Sequence, residues 1–192
     1  MLNTFEEDIN IDNFHRLSKG TKNIIFNEHF DIVERIVSEQ ITVKRFEHSK
    51  SVANVCKSLA KRWHIDENAA YQAGILHDIT KSLSKEEHLT ILKYYDPLKI
   101  NEPEPILHSY TAKYFIKEKF NYYNEDVLNA IYHHTDGECN GVLAKILYIA
   151  DKREPLRNLD PYLLNLAYED LTLAFKLLKE DVKEYVRKHN GK

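Results

Sequence analysis

Ala73-Gly74-Ile75-Leu76-His77-Asp78-Ile79-Thr80-Lys81 is the stretch on which the reading of this chain turns. Small and apolar residues run as a helical stripe from Ala69 and Ala70 through Ala73 and Leu76. They deliver an imidazole and a carboxylate side by side at the end of the run. Neither group is stable when buried alone, and for the carboxylate a cation is a natural remedy. Asp66 reads as the N-cap of this helix. Ala70, Ala73 and Gly74 are small enough to let a neighbouring helix come close.

Upstream, Ile32, Val33, Ile36 and Val37 mark a helix that becomes clear near Phe30. Arg45-Phe46-Glu47-His48 leads into a second, with Val52, Val55, Leu59 and Trp63 on one face. His48 lies four residues before Val52 and shares that face. Downstream, Ser84 reads as the cap of a helix with Leu89, Leu92 and Tyr95 inward, and residues 97–105 break helicity. A helix beginning near Pro105 carries Leu107, His108, Ala112 and Phe115. Asn124 caps one with Val127, Ala130, Ile131 and His134 inward, and Gly141 precedes Leu143, Ile146, Leu147, Ala150 and Asp151. A last long helix, with Asp160 as N-cap and Pro161 at its first position, runs through Leu164, Leu171, Phe175, Leu178, Val182 and Tyr185 to near Gly191. Residues 1–29 are only weakly periodic and read as an N-terminal appendage to a domain spanning 30–192.

Composition agrees with an all-α fold. The 192 residues are 43% hydrophobic and 30% charged, which supports a sizeable core and excludes disorder, and with only 5 Gly and 5 Pro hairpins and glycine-rich phosphate loops are not expected. A formal charge of −3 leaves no global footprint for nucleic acid. No apolar run approaches the ~20 residues of a membrane span. Residues 1–8 lack the basic start and apolar core of a signal peptide. Cys56 and Cys139 make no disulfide framework, so the expected setting is reducing and cytoplasmic.

His48, His77, Asp78, His108, His134 and Asp151 are six nitrogen and oxygen donors on five separate segments, each on or beside an inward stripe. A buried carboxylate left alone raises its pKa and loses its charge; a divalent ion reverses that preference. Four imidazoles with two carboxylates and no thiolate point away from a structural zinc site. One aspartate can offer each oxygen to a different ion, and paired ions suit phosphoryl chemistry because they generate a nucleophile from water and stabilise the transferring group. His133 stands about 100° round the helix from His134 and is set outside the ligand set. His15, His29, His64, His88 and His189 read as hydrogen-bonded core or solvent-exposed residues. The competing reading for all six donors is a structural helical bundle in which His and Asp satisfy one another.

His48, His77-Asp78 and Asp151 resemble the metal-binding pattern of the HD phosphohydrolase superfamily, and His108 and His134 resemble its dinuclear branch. More narrowly, Arg45-Phe46-Glu47-His48, residues 73–81, Ile106-Leu107-His108, residues 130–137 and residues 149–157 resemble the YqeK family of symmetrical dinucleoside-tetraphosphate hydrolases. The resemblance covers about residues 30–185. It implies an HD-domain helical bundle that splits diadenosine tetraphosphate into two ADP. It implies two divalent ions, iron first, with manganese or another divalent ion as alternatives. His48, His77, Asp78 and Asp151 would hold one ion, Asp78 would bridge, and His108 and His134 would complete the second site. Lys81 would neutralise phosphate near the metals, Thr135 would donate to a phosphate oxygen, and Arg157 would pair with phosphate. Arg153 departs from the family's aliphatic residue and is a further candidate phosphate ligand. Asp136 also departs, and a carboxylate there would repel a polyphosphate unless it faces solvent or the metals. The implied partner is a nucleotide substrate, with ADP or GDP as a product-like ligand and with no nucleic acid or membrane; a homodimer is compatible. Alternatives are a nucleotidase or hydrolase of another nucleotide within the same fold, and a non-catalytic nucleotide-binding regulator.

Overall fold

The computed structural model describes residues 9–138 and 140–189. The expectations placed on residues 1–8, on Cys139 and on the helix end near Gly191 lie outside the described residues. Within them the chain is helical and holds no strand: α1 (Ile11–Phe14), α2 (Lys19–Glu28), α3 (Phe30–Gln40), α4 (Val43–Arg62), α5 (Glu67–Leu76), α6 (Lys85–Tyr95), α7 (Leu107–Phe120), α8 (Glu125–Tyr132), α9 (Val142–Arg153), α10 (Tyr162–Glu169) and α11 (Leu171–His189). Among the described residues no helix is long and apolar enough to cross a membrane.

Local chemistry sets the helix starts. The Asp66 carboxylate accepts the amides of Asn68 and Ala69, and Asn124 accepts that of Val127. Ser84 and Glu87 exchange bonds as a capping box. Two short 3₁₀ turns, Pro97–Lys99 and Glu104–Ile106, separate α6 from α7.

α4 and α5 form the centre of the bundle, and α9 and α8 close over them. An ideal Cβ on Gly74 would lie 2.3 Å from Ala53 Cα and 2.6 Å from Ala53 N. Only glycine allows α5 to lie this close to α4, as the small residues of the opening stretch predict. The core running through the bundle includes Val33, Ile36, Val52, Leu59, Leu76, Ile131 and Leu147. Phe14 and Phe26, from the part read as an appendage, are buried in the same core and meet Phe120 edge to face.

The last helical stretch differs from its expectation. It is two helices, broken at Asp170, whose backbone is extended (φ −141°, ψ 94°). In one continuous helix the Ala167 carbonyl would accept the Leu171 amide; instead it accepts the Trp63 indole N–H at 2.8 Å. The Asp170 carboxylate then caps the new helix on the Leu173 amide. Asp160 and Pro161 also shift by one position: Pro161 is the cap residue, Tyr162 begins the helix, and Asp160 accepts the Tyr162 amide.

Candidate metal centre

Five elements bring the six expected donors together. His48 comes from the second turn of α4, and α5 ends at Leu76 so that His77 and Asp78 enter a tight turn closed by Lys81 N–H on Asp78 O. His108 is the second residue of α7, His134 follows the end of α8, and Asp151 sits in the last turn of α9. Asp78 is the centre of the group. Its Oδ1 lies 3.1 Å from His108 Nε2 and 3.8 Å from His134 Nε2; its Oδ2 lies 3.5 Å from His77 Nε2. Asp151 Oδ1 lies 3.2 Å from His48 Nε2 and 3.8 Å from His77 Nε2. Two triads have donor atoms all within 4.8 Å of one another: His48, His77 and Asp78, and Asp78, His108 and His134. They share only Asp78.

The donor set fits cations. His77 Nδ1 donates to the Gly74 carbonyl at 2.7 Å, and His134 Nδ1 donates to the Ile131 carbonyl at 2.6 Å. Each Nε2 is thereby left as a lone pair aimed into the cluster. His77 Nε2 is buried with no hydrogen-bond partner, a costly state for a polar atom unless a cation meets it. His134 Nε2 and His108 Nε2 face one another at 3.1 Å, an arrangement a shared positive charge relieves.

Protonation preferences agree. Burial holds His77 neutral despite the nearby Asp78 and Asp151. Burial, reinforced by His77 and His108, pushes His134 well below the usual histidine range. Burial opposes charge on Asp78, yet His77, His108 and His134 outweigh it and hold its carboxyl well below the usual range. Asp151 behaves alike, with Lys152 and His48 overcoming its burial. His48 differs: burial disfavours its charge, but bonds to Asp151 and Glu154 win and its pKa is raised.

Three supporting residues were not singled out in the sequence. Glu154, buried at 2% exposure, accepts from His48 Nδ1 at 3.1 Å and is itself held by Ser51 Oγ and the Leu156 amide. A carboxylate behind a ligating imidazole fixes the ring and raises its basicity. Arg45 donates to Asp78 Oδ2 at 2.8 Å. Lys152 reaches the His134 carbonyl at 2.7 Å and Asp151 Oδ2 at 3.3 Å. Arg45 stands three residues before His48, and Glu154 three after Asp151, each one helical turn from a donor on the same face. That spacing was a usable signal; Lys152 carried none.

The remaining expected site residues divide. Lys81 Nζ lies 2.9 Å from His108 Nδ1 and 3.1 Å from the Pro105 carbonyl. Arg157 binds the Asp151 carbonyl and, at 3.1 Å, Asp151 Oδ1. Both border the cluster. Thr135 is hydrogen bonded to Ser109 Oγ at 2.8 Å. Arg153 bonds the Lys152 carbonyl and lies 3.5 Å from Asp181 on α11. Asp136 is occupied by His133 Nδ1 at 2.9 Å, the Tyr110 hydroxyl at 3.2 Å and the Glu138 amide. His133 points to that carboxylate and stays out of the ligand set. Two cavities flank the centre: one of about 480 Å³ beside Arg45, His48 and Arg157, and one of about 350 Å³ beside Lys81 and His108.

Comparison with known proteins places this geometry. The chain is 34% identical over 124 residues to the symmetrical bis(5'-nucleosyl)-tetraphosphatase of Bacillus subtilis, covering 63% of this chain and 67% of that protein. It is 29% identical over 160 residues to a probable nicotinate-nucleotide adenylyltransferase/Ap4A hydrolase of Mycoplasma pneumoniae, covering 82% of this chain. The chain spans only 45% of the length of that relative. A crystal structure of a predicted HD superfamily hydrolase involved in NAD metabolism from Clostridium acetobutylicum superposes with a TM-score of 0.78 at 30% identity, over 85% of this chain and 89% of that one. The HD domain family model matches residues 45–156, an interval that contains all six donors and their supports. The chain belongs to the HD domain family.

Proposed function

We propose that this protein is a metal-dependent hydrolase that cleaves dinucleoside tetraphosphates symmetrically, converting diadenosine tetraphosphate into two ADP. The observation that carries the reading is Asp78, whose two oxygens face two different imidazole groups in a buried cluster. The named activity of the Bacillus subtilis relative supports the substrate class. His48, His77, Asp78 and Asp151 would hold one ion, and Asp78, His108 and His134 a second. This nitrogen and oxygen set accepts several divalent ions, and the family resemblance favours iron, with manganese or another divalent ion as alternatives. Bound there, the ions would supply a water of lowered pKa and charge stabilisation at the transferring phosphoryl group.

The chain's own residues do the rest. Arg45 and Lys152 hold the two carboxylates in place, and Glu154 holds the His48 ring. Water oxygen bonds to one of the two inner phosphorus atoms. The central bridging P–O bond breaks, and its oxygen leaves with the other half as the second ADP. Positioning and charge neutralisation carry most of such a reaction. Lys81 and Arg157, on opposite sides of the centre, would neutralise the phosphates on either side of the broken bond. Thr135 would turn its hydroxyl from Ser109 to a phosphate oxygen, and Arg153, drawn toward Asp181, would contribute charge at longer range. Residues 30–192 would form the catalytic domain, with Phe14 and Phe26 of the preceding segment completing its core. The intracellular pool of nucleotides makes the cytoplasm the expected location. ADP or GDP would bind as product.

Chromatography of diadenosine tetraphosphate incubated with the iron- or manganese-loaded protein tests this. ADP as sole product is expected; ATP with AMP would refute symmetrical cleavage.

A further inference from the structure

The smaller cavity beside the metal centre contains a polar group that the chemistry above does not use. It is lined by Lys81, Leu83, His88, Glu104, Pro105 and His108. His88, on α6, is 5% exposed, so its presence on the wall exposes little more than one edge of the ring. Its Nδ1 lies 2.9 Å from Thr111 Oγ1. The Thr111 hydroxyl has other acceptors within reach, the carbonyls of Leu107 at 3.1 Å and His108 at 3.3 Å and the Thr80 hydroxyl at 3.1 Å. With its single hydrogen given to one of these, it receives the Nδ1–H of His88. Thr80 in turn donates to the His108 carbonyl at 2.8 Å. The His88 ring is thus fixed, through two threonines, to the backbone of a metal-site residue.

This arrangement leaves His88 Nε2 as a hydrogen-bond acceptor with no partner among the described residues. A hydrogen-bond acceptor on a cavity wall calls for a ligand hydroxyl or amine. The neighbouring chemistry narrows the choice. Lys81 Nζ, 2.9 Å from His108 Nδ1, provides the cation for a phosphate at the inner end. Glu104, 3.7 Å from Lys85 and largely exposed, adds a second acceptor at the rim. Leu83 and Pro105 supply apolar walls. A phosphate inside, acceptors next and apolar walls around them follow the order of groups along a nucleotide from phosphate to sugar.

We propose that this cavity holds the ribose of one nucleoside diphosphate half, with His88 Nε2 accepting a hydrogen bond from one sugar hydroxyl and Glu104 accepting from the other. The proposal rests on the nucleotide reading of the metal centre and adds a means of reading the sugar. It makes His88 a specificity residue that touches substrate but takes no part in bond breaking.

Calorimetric titration of the metal-loaded full chain with ADP and with 2′,3′-dideoxy-ADP tests it, because binding does not depend on turnover. The dideoxy ligand is expected to bind about fivefold to tenfold more weakly, the worth of a lost hydrogen bond to a buried acceptor. His88→Leu should remove the share of that preference owed to His88, weakening ADP severalfold toward the dideoxy ligand, leave the dideoxy affinity unchanged and keep the wild-type metal content. His88→Gln, whose side-chain carbonyl can reach the position of Nε2, should restore most of the preference and covers the case in which the leucine variant does not fold. Equal affinity of the wild type for both ligands, an equal loss on both in His88→Leu, or no ADP binding at all would overturn the subsite. Hydroxyl-dependent ADP binding without symmetrical cleavage of diadenosine tetraphosphate would leave the subsite standing and remove the functional reading. Symmetrical cleavage with no hydroxyl preference would do the reverse.

Discussion

Gly74→Ala should damage both the fold and the metal centre, through one contact. The new methyl would meet Ala53 Cα at 2.3 Å and Ala53 N at 2.6 Å, against an ordinary contact of 3.4 Å or more. Both neighbours are backbone atoms, so no rotamer change relieves the clash and α5 must retreat from α4 by about 1 Å. Overpacking of this kind costs about 1–3 kcal/mol. For a chain of this size each kcal/mol is worth roughly 2–4 °C, so Tm should fall by about 2–12 °C. The retreat also moves a ligand, because the Gly74 carbonyl fixes His77 Nδ1 while His48 rides on α4 with Ala53. Site geometry tolerates errors of only about 0.5 Å, so metal affinity should fall at least tenfold. Circular dichroism melting and a metal titration read the two effects. Adding Ala53→Gly should not rescue the variant, since the clash is with Cα and N as well as Cβ. A Tm within 1 °C of wild type, or full rescue by the double change, would refute the close-packing account.

Glu154→Gln should weaken metal binding by roughly 10- to 100-fold while sparing the fold, because the amide keeps the volume but loses the charge behind His48; a metal titration reads it, and an unchanged affinity would show that Glu154 does not tune the ring. Metal affinity should also depend on pH. The metal-free His48 has a raised pKa, the ion takes its neutral form, and one proton must leave; affinity should be flat above that pKa and fall about tenfold per unit below it. His77 and His134 are already neutral and should add no further steepness near neutral pH. Trp63→Phe should free the Ala167 carbonyl and lower stability by about 1–3 kcal/mol, measured by urea unfolding, with metal content unchanged.

Much of this site was legible because its donors obey helical spacing. His48, His134 and Asp151 fall on the same stripes as Val52, Ile131 and Leu147, so the periodicity that buries the core also aims the ligands. Gly74 announced the close helix approach through its size. What escaped depends on long-range pairing. Nothing in the last helical stretch shows that Trp63, more than 100 residues earlier, takes the Ala167 carbonyl and splits it. Nor does an acidic residue at position 136 reveal that Tyr110 and His133 occupy it. His88 read as a hydrogen-bonded core or solvent-exposed histidine, and its second nitrogen acquires meaning only from the cavity it faces.

Two ions that share Asp78 should both depend on it. Elemental analysis of the purified wild type and of Asp78→Ala, after saturation with iron or manganese and removal of free metal, tests it most directly. Two ions per wild-type chain, and the loss of both in the variant, are expected. A variant that keeps two ions, or a wild type that binds none, would contradict that dependence.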